Sequence, residues 1–231
     1  AAAGGDTILG GAGSDTITAG EGADTITGGS GNDTIDLTEV TEVLDDVVLL
    51  WSESGTYIDT ITGFNDSSMT GTVDELQIDL SAFNLIGASG GVNITSATVL
   101  TQFFDGTAVG AAAGGVQVSS GTTIVADGKD VIIMQGSAIS SEAEVEDALE
   151  TGGSFELTVS TTNTHIVQYD SIVVVYSDGT DAHVALAVVM VDPGTSATFA
   201  AAELDVVDIA IIAGVSSIGS TTFATANFEF I

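Results

Sequence analysis

Four aspartates recur every nine residues, at Asp6, Asp15, Asp24 and Asp33. A glycine stands two places before each (Gly4, Gly13, Gly22, Gly31) and an isoleucine two places after (Ile8, Ile17, Ile26, Ile35). Carboxylate and carbonyl oxygens are hard donors, and calcium takes about six to eight of them at about 2.3–2.6 Å. One such unit is a weak signal. Four in phase line up a single ligand type, so Asp6, Asp15, Asp24 and Asp33, with the turns opened by Gly4, Gly13, Gly22 and Gly31, are the candidate metal-binding positions.

The same period specifies what must hold them. The units AAAGGDTIL, GGAGSDTIT, AGEGADTIT and GGSGNDTID run from Ala1 to Asp36 without a gap. Each reads as a six-residue turn, where glycine permits positive φ, and a three-residue strand, which the β-branched Thr-Ile pair suits. Two units make one coil of a parallel β-roll, so alternate units stack and Asp6 lies over Asp24, Asp15 over Asp33. Stacked strands are roughly 4.8 Å apart. An ion between two turns therefore reaches both carboxylates, and turn carbonyls complete its shell. The isoleucines point between the sheets. Their core is small, so the metal must contribute folding energy.

Composition agrees with a cation as partner. The chain has 231 residues with 33 acidic side chains against one base, Lys129, a formal charge of −32, while 44% of it is hydrophobic. That field repels nucleic acid and anionic membranes and opposes compaction until cations neutralise it. There is no cysteine, so neither disulfides nor thiolate metal sites are available. No apolar run approaches a membrane span. Ala1-Ala2-Ala3 is no signal peptide, and its phase with the repeat suggests a processed or excerpted C-terminal portion of a longer chain.

Beyond Asp36 the period stops and short apolar runs separated by Gly, Ser, Asn and Asp take over, the pattern of an all-β body. Strands are expected at Val47–Trp51, Glu75–Leu80, Val92–Phe104, Gly115–Val118, Thr122–Ala126, Val131–Gln135, Phe155–Ser160, His165–Tyr169, Ile172–Tyr176, Val184–Val191, Val206–Ala213 and Phe223–Ile231. Asp127-Gly128 and Asp178-Gly179 mark tight hairpins. One helix is expected at Glu142–Glu150, with Ser141 and Glu144 as a capping box and Gly152 past its end. The expected architecture is a short β-roll and a β-sandwich-like body with that helix, divided as 1–36, 37–138 and 139–231.

The units GGAGSDTIT and GGSGNDTID resemble the GGxGxDxUx repeat of RTX proteins, a calcium-binding β-helix repeat. Ala1-Ala2 and Ala19 depart from it by replacing turn glycines. DTITGF at Asp59–Phe64 and DELQIDLSAF at Asp74–Phe83 are similar to the segment that continues and caps the roll in type I secreted proteins; further calcium ligands there would be Asp59, Asp66 or Asp79. The stretch from the helix to GVSSIGSTTFATANFEFI resembles the C-terminal domain of RTX-type and bluetail-type bacterial surface proteins. Asn227–Ile231 resembles the uncleaved signal read by type I exporters.

Catalytic constellations are missing. His165 and His183 have no metal spacing and read as packed or surface residues, there is no HExxH, and Gly28-Gly29-Ser30-Gly31 lacks the lysine of a phosphate loop. No catalytic residue is expected. The expectation is a secreted, extracellular or cell-surface structural protein, with calcium as its cofactor and a type I exporter and its own copies as partners. It would be a subunit of a surface layer, filament or matrix. The alternative is a secretion and folding module of a larger RTX adhesin or hydrolase. A glycan-binding role would need exposed aromatics, and Trp51, Tyr57, Tyr169 and Tyr176 are few and mostly in apolar runs.

Overall fold

The Thr-Ile pairs build the strands, and the computed structural model stacks them two units apart. It describes residues 3–50, 57–66, 73–79, 116–121, 124–125, 130–136, 138–158, 171–190, 198–201, 203–219 and 222–231. The repeat supplies β1 (Thr7–Ala12), β2 (Thr16–Thr18), β3 (Thr25–Ser30) and β4 (Thr34–Asp36). β1 runs parallel to β3 with Ile8 opposite Ile26, and β2 parallel to β4 with Ile17 opposite Ile35. Successive turns throw the chain from one sheet to the other, which is the expected β-roll.

The roll outlasts the repeat. β5 (Asp46–Leu50), β6 (Asp59–Thr62) and β7 (Glu75–Asp79) add to its two sheets in turn. The body then contributes β8 (Val116–Ser119), β9 (Ile124–Val125), β10 (Val131–Met134), α1 (Glu142–Leu149), β11 (Leu157–Thr158), β12 (Ser171–Ser177), β13 (Ala182–Val189), β14 (Leu204–Ile212) and β15 (Phe228–Phe230). One sheet has the order β1-β3-β5-β7-β15, the other β2-β4-β6-β14-β13-β12-β10-β8, and β11 pairs with β9. The fold is all-β with one short helix, and the body extends the roll's own sheets. Ile8, Ile26, Val47, Leu76 and Phe228 stand in one cross-strand row. Ile17, Ile35, Ile61 and Ile212 form the facing one.

The core between these sheets takes Val131, Ile133, Val173 and Val175 from β10 and β12. The alternate residues Ile132, Met134, Ile172 and Val174 join a second cluster with Val145 and Leu149 of α1. The large sheet is thus covered on both faces here, which explains the unbroken apolar runs of β12 and β13. The hairpin at Asp178-Gly179 joins β12 to β13 antiparallel, Ser177 opposite Ala182. Ser141 caps α1 by accepting the Glu144 N–H at 3.3 Å, whereas the Glu144 carboxylate turns to the Ser140 N–H and hydroxyl, so the capping box closes on one side only. The strand expected over Val92–Phe104, the turn at Asp127-Gly128 and His165 lie outside the described residues.

The expected final strand is shortened for a local reason. The Asn227 side chain accepts the Ala224 N–H and donates to the Asp74 carbonyl, folding 225–227 into a 3-10 turn before β15 starts. β15 then lies parallel to β7, with Phe228 and Phe230 buried in the roll's core. Phe228→Ala and Phe230→Ala should each lower stability by about 3–5 kcal/mol, measured by urea unfolding in calcium. Deleting Asn227–Ile231, which uncovers Leu76 and Ile78, should cost more than either.

Candidate metal centre

The turns bring the four repeat aspartates together in pairs, through a contact that sequence does not reveal. The Asp6 N–H donates to Asp24 Oδ1 at 2.7 Å, and the Asp15 N–H to Asp33 Oδ1 at 2.8 Å. Each carboxylate is thereby fixed by the backbone of the aspartate one coil earlier. The contact recurs past the repeat: Asp24 N–H to Asp45 Oδ1 at 2.8 Å, Asp45 N–H to Asp74 Oδ1 at 3.0 Å, and Asp33 N–H to Asp59 Oδ1 at 3.0 Å. Two columns result, Asp6-Asp24-Asp45-Asp74 and Asp15-Asp33-Asp59.

Three carboxylate oxygens of these pairs are left over. Asp15 Oδ2, Asp24 Oδ2 and Asp33 Oδ2 are buried and accept no hydrogen bond among the described residues. A shielded carboxylate oxygen without a partner is costly, and a hard cation is the partner its chemistry suits. Glycine makes the space. A Cβ at Gly10 would come within 3.0 Å of Asp15 Oδ2, and one at Gly28 would collide with Asp33 Oδ2. No three His, Asp or Glu side chains converge to hold a metal among the described residues. The residues fit calcium, which a stacked carboxylate pair would hold with turn carbonyls completing its shell.

Gly4, Gly13, Gly22 and Gly31 all adopt positive φ, as do Gly11, Gly20 and Gly29 two residues before the later three. The expected turn role of these glycines follows from that conformation. Ala19 stands where Gly10 and Gly28 stand in the neighbouring units, and its methyl is buried in the core.

Asp45 and Asp74 were hidden because their spacing leaves the nonapeptide phase. Asp59 carried a signal, since Asp59-Thr60-Ile61-Thr62 repeats the tetrapeptide at Asp15 and Asp24. Asp66 is buried beside Asn65 and Asp79 closes β7. Burial, with Asp74, Glu39 and Asp24 nearby, pushes the Asp45 carboxyl up to about 7. Burial likewise raises Asp59 and Asp74 to about 6. His183 is packed, stacked on Tyr176 at 4.7 Å with Nδ1 2.8 Å from Asp208 Oδ2. Burial would lower its pKa, but Asp208 and Asp178 raise it.

The pH dependence of the metal-free fold follows. Asp45, Asp59 and Asp74 start from 3.8 and end at about 7, 6 and 6. The folded state therefore holds protons that the unfolded chain releases, and stability is highest below about pH 4 and falls as pH rises to about 7. In chelator, the urea midpoint should be lower at about pH 8 than at about pH 5. Calcium, which binds the deprotonated carboxylates, should offset the loss at the higher pH.

Comparison with curated proteins and with solved structures matches none. Comparison with protein families matches residues 1–35 to the RTX calcium-binding nonapeptide repeat, in four copies. The segment that builds the first two coils of the roll is thus an RTX calcium-binding repeat.

Proposed function

We propose that the chain is a secreted, calcium-binding structural protein, folded outside the cell by calcium and assembled with its own copies into a surface layer, filament or matrix. The observation that carries this reading is the pair of stacked aspartate columns in which Asp15, Asp24 and Asp33 each keep a buried oxygen with no hydrogen bond among the described residues. Extracellular calcium modules bind in the range of about 10⁻⁴–10⁻³ M. In a low-calcium cytosol the columns repel and the roll stays unfolded, the state in which a type I exporter takes its substrates. The tail Asn227–Ile231, similar to such an exporter's signal, is then free to be read before it becomes β15. The chain is proposed to have no catalytic role.

Assembly is supported by charge. A chain at −32 repels its copies until bound cations reduce the field.

Calcium added to chelated protein should produce β-structure cooperatively by far-UV circular dichroism, complete within about 10⁻³ M; an unchanged spectrum counts against calcium-driven folding. Light scattering and negative-stain microscopy should find ordered assemblies in calcium and dispersed chains in chelator. Sodium chloride at matched ionic strength should not substitute, because screening lowers repulsion without coordinating carboxylates. Monomers in all three conditions would favour the folding-module alternative.

A further inference from the structure

We infer that the chain holds a divalent-cation site beyond its nonapeptide repeats, between Asp24 of the second coil and Asp45 of the third. The inference rests on the calcium reading of the repeat and extends it to a turn that no repeat motif marks.

Asp45 stands to Asp24 as Asp24 stands to Asp6. The N–H of the earlier aspartate donates to Oδ1 of the later one at 2.8 Å here and at 2.7 Å in the repeat. The strands that follow keep the same register, Thr25 opposite Asp46 as Thr7 is opposite Thr25. Asp24 and Asp45 are each 1% exposed. Asp24 Oδ2 is shielded and accepts no hydrogen bond among the described residues, so a buried carboxylate oxygen is available where two acidic turns meet. A carboxylate has about four lone-pair sites, so Asp24 can accept the Asp6 N–H and still serve ions on both sides.

The turn chemistry adds charge to the site. In the first coil the Gly4 and Gly13 N–H groups donate to backbone carbonyls, those of Glu21 and Ser30. In the second coil the equivalent Gly22 N–H donates at 2.6 Å to the Glu39 carboxylate, whose other oxygen accepts the Val43 N–H at 2.8 Å. Glu39 is thereby held through both oxygens by backbone N–H groups. It replaces a neutral carbonyl with an anion beside Asp24 and Asp45 and so raises the demand for a cation there. Glu21 ties the same turns together by accepting the Val40 N–H.

The test is the number of ions on the full chain. Calcium binding by equilibrium dialysis is compared for the wild type and Asp45→Asn, whose amide oxygen can still accept the Asp24 N–H. The variant should fold in calcium and bind one calcium fewer per chain. Glu39→Gln should keep the number and weaken one site several-fold. Unchanged number and affinity in Asp45→Asn would overturn the site while leaving the repeat's calcium intact. A wild type that binds none would instead overturn the underlying reading. Should Asp45→Asn fail to fold, crystals of the wild type soaked in terbium decide the matter. An anomalous peak between Asp24 and Asp45 supports the site, and peaks confined to the repeat refute it.

Discussion

Carboxylates so outnumber side-chain cations in this chain, 33 to one lysine, that they must find their partners in the backbone. Asp24, Asp33, Asp45, Asp59 and Asp74 each accept the N–H of an aspartate one coil away. Glu21 and Glu39 accept N–H groups from facing turns. Such a bond orients a carboxylate and lowers the cost of burying it, but an N–H carries only a partial charge. A column of oriented, buried, uncompensated anions is therefore complete in shape and incomplete in charge. A calcium-binding repeat fits that need, since a bound cation would supply the missing half.

The contact also explains how the roll outlives its repeat. Successive members of the columns are 18 residues apart in the repeat and then 21, 26 and 29 apart. The extra residues fall in sequence between the strands, where longer connections cost little. Strand alternation is untouched, so Val47, Leu76 and Ile61 fall into rows begun by Ile8 and Ile17. β14 and β15 join the same rows from the far end of the chain. Cation binding at the first coils and packing of the last strand thus act on one continuous pair of sheets.

These facts divide what the sequence could reveal from what it could not. The stacking of Asp6 on Asp24 and the inward isoleucines were legible because a fixed period maps directly onto a coil. The hairpin at Asp178-Gly179 and the start of α1 at Ser141 were legible because their signals are local. Asp45 and Asp74 were not, since no spacing relates them to the repeat. The destination of β15 was hidden as well. Phe228-Glu229-Phe230 announces an alternating strand, yet its partner β7 lies far back in the chain, as the Gln77 to Glu229 side-chain bond across 152 residues illustrates. Pairings of that kind are set by which edge remains open once everything else has packed.

The body meets the same shortage of cations with a different solution. β6 covers β14 only at Ala210–Ile212, and the strand's remaining N–H groups on that side need acceptors. Glu142 and Glu146, one turn apart on α1, provide them by accepting the Asp208 and Val206 N–H groups at 2.8 and 3.0 Å. Asp205, pressed by burial and by Glu146 and Glu142, is raised to about 6 and so holds a proton more readily. Asp208 is shared by the Tyr176 hydroxyl and by His183. At this seam donors and a titratable base stand among the acids, whereas in the columns aspartate follows aspartate with only backbone between. The two regions start from one excess of negative charge, and burial raises acids in each, Asp45, Asp59 and Asp74 in the columns as Asp205 at the seam; they differ in the donors and the base that the seam interleaves.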